Sequence, residues 1–498
     1  MLKKWASLSL VLVFFSLFVL VGCNNGDLIG RASKNITHYT IDATLSNEHT
    51  LSAKETVAYI NKSDTALAAV FFHLYPNAFR EGAKNKPIYE NSKTKSYPNG
   101  FSEGGIEILS VSVGSSPVAV KLSGEDNNIL EVFLPSSLAP NSVASIIIGF
   151  NLTIPNIAHR FGYGDNTLNL GNWYPIACMY ENGEFNVNPY SPNGDPFYSD
   201  IANYSVSVSF PSTLVLACTG AIAETRISGN STIAKIEAKA VRDFAMVFSE
   251  RFRIISANVG DTKISYYYYD DESPEKFLKT SVDAVTTFNK LFGAYPYSTL
   301  NVVKANFLHG GMEYPNLIYI SDSVAIESEY QNVIIHEIAH QWWYGLVGND
   351  EVSHPWLDEG LTEFSTALFY KYNEGYVSTY AGAVGNAINA YLLFCDVYSS
   401  FYGKINSDMN RCLYDYKTEP EYVYMTYVRG LLMFDSIMDA VGEKKMIKAL
   451  AYYFKINAMK NATPEDLITA LEKSTRVDLR SLIESWLNGN VIIEELNS

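Results

Sequence analysis

"HEIAHQWWYGLVGNDEVSHPWLDEGLTEF", residues 336–364, decides how the rest of the chain is read. The run around its two histidines is apolar nearly all round, so a helix from about Val333 to Tyr344 is expected to be buried. His336 and His340, four apart, share one face of that helix, and burying both costs free energy unless each finds a partner. A shared metal ion is one such partner; a pair of satisfied core histidines is the alternative. A third ligand separates the two. The helix is expected to break at Gly348–Asp350, about 10 Å beyond His340, and "SHPWLDEGLTEF" then opens a second, antiparallel helix near Pro355. A carboxylate one turn into that helix returns to the level of the histidines. Glu359 fits best, with Glu363, His354 and Asp358 as competitors.

Outward from this stretch the pattern divides. From residue 37 to 270 there are short alternating runs such as "HYTIDATLS", "SIIIGFNLTI" and "KISYYYYD", separated by Gly, Pro, Asn and Ser, which predict an all-β, sandwich-like domain. From 271 onward helical spacing takes over: Ser273 suits an N-cap, Pro274 the first turn, and Phe277, Leu278, Val282, Val285, Phe288 and Leu291 form an apolar stripe. Two strand-like runs, "TLNVVKANF" and "NLIYIS", bracket "HGGMEYP", and after residue 326 nearly everything reads as helix. The fold class is therefore α+β and multidomain, with a β domain over 37–270 and a mainly helical domain over 271–498. A chain of 498 residues exceeds what one core usually fills.

At the N-terminus Lys3 and Lys4 precede "SLSLVLVFFSLFVLVGC", and "LVGC" (Leu20 to Cys23) resembles a bacterial lipobox. Residues 1–22 are expected to be a lipoprotein signal peptide, Cys23 the lipidated residue, and 23–36 a tether; an uncleaved helical anchor is the alternative. Both place the globular part outside the cytoplasm, held at a membrane. Lys and Arg number 37 against 53 Asp and Glu, a formal charge of -16, which argues against nucleic acid as a partner. Cys178, Cys218, Cys395 and Cys412 lack metal-binding spacing and read as free thiols, with a Cys395–Cys412 bridge as the alternative in an exported protein.

"HEIAHQWW", whose second histidine is separated by eighteen residues from Glu359 in "WLDEGLTEF", resembles the aminopeptidase N family of gluzincin metallopeptidases. "GGMEY" (Gly310 to Tyr314) resembles that family's G-A-M-E-N motif, and "TYVRG" (Thr426 to Gly430) its Y-x-K-G segment. "GNWYP" and "GDPFYSDIANYSV" are similar to its N-terminal β domain. The resemblance implies a thermolysin-like catalytic domain in which His336, His340 and Glu359 hold one Zn²⁺ with an open position. It further implies Glu337 as general base and Tyr427 as a neutral donor to the oxyanion. Glu313 would bind the substrate's free α-ammonium, while Gly310, Gly311 and Met312 offer backbone groups to a peptide. Peptides with a free N-terminus are the implied substrates.

Three departures accompany the resemblance. Tyr314 and Asp358 stand where the family commonly has asparagine, and the chain ends at "SLIESWLNGNVIIEELNS", where the catalytic domain of the family would close. The expectation is that a further C-terminal helical domain is missing, which keeps an open-cleft endopeptidase as a rival. A surface binding lipoprotein without catalysis is the other rival. His309 is expected to be structural.

Overall fold

The computed structural model describes residues 25–494, so the signal-peptide segment and Cys23 lie outside the described residues. The N-terminal half is built on an eight-stranded sheet whose central strands are His38–Leu45, Thr50–Ile60 and Val143–Thr153. Their side chains alternate between core and surface, as period-2 patterning requires, and Ile41, Val57, Ile146, Ile148 and Phe150 are fully buried. Two four-stranded sheets complete this domain.

A further sheet has five strands, in the order Arg253–Val259, Thr262–Tyr268, Thr299–Ala305, Leu317–Ser321 and Gly311–Met312. Its first two strands, with "KISYYYYD", lie in the stretch read as β domain and join strands from beyond residue 271. Thr262–Tyr268 pairs in parallel with Thr299–Ala305, and the helix Pro274–Leu291 is the crossover between them. The switch from strand to helix pattern near 271 thus falls inside a strand–helix–strand unit. Gly311–Met312 lies at the sheet edge, antiparallel to Leu317–Ser321.

Beyond the sheet the chain is mostly helical, with Glu327–Ala339, Trp356–Tyr372 and Arg429–Val441 nearest the site. The expected tether contains a helix, Asn25–Ala32, because Leu28, Ile29 and Ala32 form an apolar face that packs on the core. Cys395 and Cys412 are free, as are Cys178 and Cys218. Among the described residues no helix is long and apolar enough to cross a membrane.

The two domains are tied by buried polar contacts. The Arg242 guanidinium donates to Tyr344 O at 2.7 Å and Lys460 O at 2.5 Å, and the Tyr297 hydroxyl donates to Ala240 O at 2.5 Å. Asn193 Nδ2 donates to Leu413 O at 3.3 Å, bringing the 189–195 loop of the β domain against the helical domain.

Candidate metal centre and substrate cavity

The helix carrying the histidines ends at Ala339, earlier than the sequence suggests, although His340 keeps helical dihedrals. Gly345, Leu346 and Val347 then donate to carbonyls five residues back, on His340, Gln341 and Trp342, so the chain leaves through a widened turn. That turn delivers Val347–Gly348 to a short pairing with Lys460–Asn461. The next helix starts at Trp356 after Pro355 and returns alongside, as expected.

Its Glu359 Oε2 lies 3.3 Å from His336 Nε2 and 3.2 Å from His340 Nε2, and the two nitrogens are 3.1 Å apart. Tetrahedral ligands about 2.0–2.1 Å from a zinc ion are separated by about 3.3 Å, so donor type and spacing both fit Zn²⁺. Of the competitors only Asp358 also comes within reach of an ion, in a group with Glu313 and His340. Glu363 Oε1 lies 3.1 Å from the other ring nitrogen of His336, and Asp358 accepts from Asn349 Nδ2 at 3.1 Å. His354 is not among the groups that could hold an ion. His340 Nδ1 donates to Trp343 O at 3.0 Å, which leaves its Nε2 lone pair for the metal.

Without a metal these groups perturb one another strongly. Burial works against a charge on His336, yet hydrogen bonds to Glu359 and Glu363 raise it to about 10. Burial likewise works against charge on Glu359, but His340 and His336 hold it at about 2. Asp358 is pushed up to about 7 by burial and by the neighbouring Glu359.

Glu337 is buried beside the triad, and burial lifts it to about 7 against the pull of the two histidines. Its carboxylate rests on Gly311: a Cβ there would sit 2.2 Å from Glu337 Oε1, so the edge strand can approach only without a side chain. Tyr427 reaches the site from a π-helical segment, Tyr424–Val428, and its hydroxyl donates to Glu359 Oε1. Gly430 makes this approach possible. A Cβ on it would lie 2.5 Å from the Gly360 Cα, so the two helices touch at paired glycines next to Glu359.

These residues line a cavity of about 230 Å³ shared with the β domain. Glu313 is buried there with Oε1 lacking any hydrogen-bond partner. Opposite it the β domain contributes Asp195, whose Oδ1 is 2.8 Å from Arg160 Nη1. Burial raises both carboxyls; Arg160 pulls Asp195 back down while Glu359 pushes it up, and Glu313 is raised further by Asp195 against the pull of His340. Asp195 and Arg160 went unrecognised in the sequence. "GDPFYSD" reads as a turn, and nothing in its spacing ties it to His336 across more than a hundred residues. Gly310 and Gly311 line the cavity beside them, and Met312 is buried behind.

Tyr314 has a packing role. Its hydroxyl donates to Asn172 Oδ1 at 2.6 Å above Gly171, where a Cβ would collide with it at 1.9 Å. The side chain therefore leaves the cavity and locks the Glu313 loop to the "GNWYP" segment. Gln341 Nε2 fixes the same loop by donating to Glu313 O at 3.1 Å. His309, expected to be structural, lines the cavity.

Residues 278–486 match the family model described as Peptidase family M1 domain. The catalytic domain belongs to peptidase family M1. Among curated relatives, rice Aminopeptidase M1-D is 25% identical over 314 residues, covering 57% of this chain and 34% of the relative. Human Aminopeptidase B is 34% identical over 107 residues, 20% of this chain and 16% of that protein. The chain thus spans about a third or less of the length of the curated relatives it matches. An M1 zinc metallopeptidase from Deinococcus radiodurans shares the fold with a TM-score of 0.64 and 15% identity, covering 92% of this chain and 95% of that one.

Proposed function

We propose that this protein is a zinc-dependent aminopeptidase that removes N-terminal residues from peptides outside the cytoplasm. The observation that carries the reading is the pair of buried carboxylates, Glu313 and Asp195, in the same cavity as the triad His336, His340 and Glu359. Arg160 matches the charge of Asp195, so the buried Glu313 is the acid left without a neutralising partner, and an α-ammonium group offsets that cost where an internal peptide bond offers no charge. A mutant of the Deinococcus structure is bound to a Tyr-ser-ala substrate, which is consistent with short peptides as ligands.

The chemistry follows from the residues. A zinc ion held by the triad supplies Lewis acidity toward a water molecule and the peptide carbonyl. Glu337, poised near 7, takes the proton from the attacking water and later hands it to the departing amine. The Tyr427 hydroxyl, kept neutral by burial, donates to the oxyanion as charge develops. The free edge of Gly311–Met312 offers backbone groups to the peptide. The sequence of Leu20 to Cys23 supports attachment to a membrane through a lipid on Cys23.

The test is hydrolysis of aminoacyl fluorogenic amides and of matched peptides with free and acetylated N-termini, with and without chelator. Free termini should be cleaved and blocked ones spared, and Glu313→Gln should lower kcat/KM by about tenfold or more. Equal cleavage of blocked and free forms would replace this reading with the endopeptidase one. No hydrolysis by zinc-loaded protein would leave the binding lipoprotein.

A further inference from the structure

Glu313 is buried in the cavity, yet its Oε1 has no hydrogen-bond partner, so the carboxyl group does little to hold itself in place. Its position is set by what grips the chain beside it. From the catalytic domain, Gln341 Nε2 lies 3.1 Å from Glu313 O and 3.3 Å from Tyr314 O. Gln341 follows His340 directly, so this grip ties the loop to the metal site. A second grip crosses to the β domain. The Tyr314 hydroxyl donates to Asn172 Oδ1 at 2.6 Å, and Asn172 Nδ2 in turn donates to Asp243 Oδ2 at 2.5 Å.

The direction of this chain is set at its far end. Asp243 Oδ1 accepts from the Phe244 backbone N–H at 2.6 Å and lies 3.0 Å from the Tyr174 hydroxyl. A carboxylate only accepts, so it draws the amide protons of Asn172 toward itself and leaves the Asn172 oxygen facing Tyr314, which must then donate. The local backbone is made for this approach. Asn172 takes a left-handed φ of 49°, which asparagine tolerates, and Gly171 before it leaves the space that the Tyr314 hydroxyl fills. Asn172, Asp243 and Tyr314 are all buried, so each donor and acceptor depends on its neighbour. The acid with no partner of its own thus sits beside a tyrosine whose placement is fully specified.

We infer that Asp243, acting through Asn172 and Tyr314, positions the Glu313 carboxylate for the substrate's amine, so that a residue of the β domain tunes a contact made by the catalytic domain. This rests on the aminopeptidase reading and adds to it the residues that set the amine contact.

The experiment uses the zinc-loaded full chain at about pH 8, where Asp243, lifted to about 7 by burial, is ionised. Tyr314→Phe keeps the ring and removes the donor. Asp243→Asn keeps the shape, but its oxygen stays with the Phe244 N–H, so its amide meets that of Asn172 donor to donor. Each variant should raise KM for free-amine substrates about fivefold, the size of one hydrogen bond, with kcat and bound zinc little changed. The preference for free over acetylated termini should fall by the same factor. In a Glu313→Gln background, where the amine contact is already lost, neither substitution should add a further change, whereas a merely structural loss would multiply with it. If Asp243→Asn fails to bind zinc, Tyr314→Phe decides alone. KM unmoved, or the same fold-change with and without Glu313→Gln, would overturn the positioning role and leave the aminopeptidase reading intact. Equal cleavage of blocked and free peptides by the unmodified chain, or no cleavage at all, would overturn both.

Discussion

Glu363 sits one helical turn beyond Glu359 and holds the other nitrogen of His336 at 3.1 Å, the place of an orienting carboxylate behind a metal-bound imidazole. Glu363→Gln is expected to weaken zinc binding about 10- to 100-fold, read by competition with a chelating dye; an unchanged affinity would deny it that role. The protonation of His336 gives a second prediction. In chelator-treated protein its value of about 10 lies above the ordinary 6.5, so the charged ring adds stability that is complete below pH 6.5 and disappears as pH rises through about 10. Zinc must displace that proton. His340 is raised as well, so uptake at pH 8 should release about two protons per ion, one from each histidine, measured by calorimetry in buffers of different ionisation enthalpy. His336 and His340 were legible from helical periodicity; a chain reversal made Glu359 the best of four candidates, and the resemblance to the gluzincin family singled it out. Glu363 was legible as a neighbour but not in its role, since spacing cannot tell which ring nitrogen a carboxylate will face.

Helices in this site are positioned by what they lack. Gly360 and Gly430 let two of them meet at backbone distance, and the π-helical segment Tyr424–Val428 rotates Tyr427 onto Glu359. Gly430→Ala inserts a methyl 2.5 Å from the Gly360 Cα. It should cost about 1–3 kcal/mol in denaturant unfolding and lower kcat by more than stability alone explains, because Tyr427 moves with the helix. Tyr427→Phe, which leaves the packing intact, should reduce kcat about 10²- to 10³-fold with little change in stability. The glycines were visible in the motifs, but the widened helical turns at 345–347 and 424–428 were not, since they arise from tertiary packing and leave no periodic mark. The pairing of "KISYYYYD" with Thr299–Ala305 escaped for a related reason: strands of two sheets look alike until their partners are known.

At the scale of the molecule, the cavity is divided between domains: Asp195, Arg160 and His159 come from one, Glu313 and the metal triad from the other. Arg242 is the main polar tie between them, and a Cβ on Gly348 would strike its guanidinium at 2.1 Å. Arg242→Met leaves Tyr344 O and Lys460 O without their donor, at about 1–3 kcal/mol for each buried group. Calorimetry should then show the transitions of the two domains drawing apart. Cys23→Ser should release the protein from the membrane fraction; a protein that stays bound would point to the uncleaved helical anchor. The division of the cleft also has a bearing on biosynthesis. Asp195 emerges from the ribosome before Glu313 and the metal triad, so the cavity closes around them only once both domains have been made.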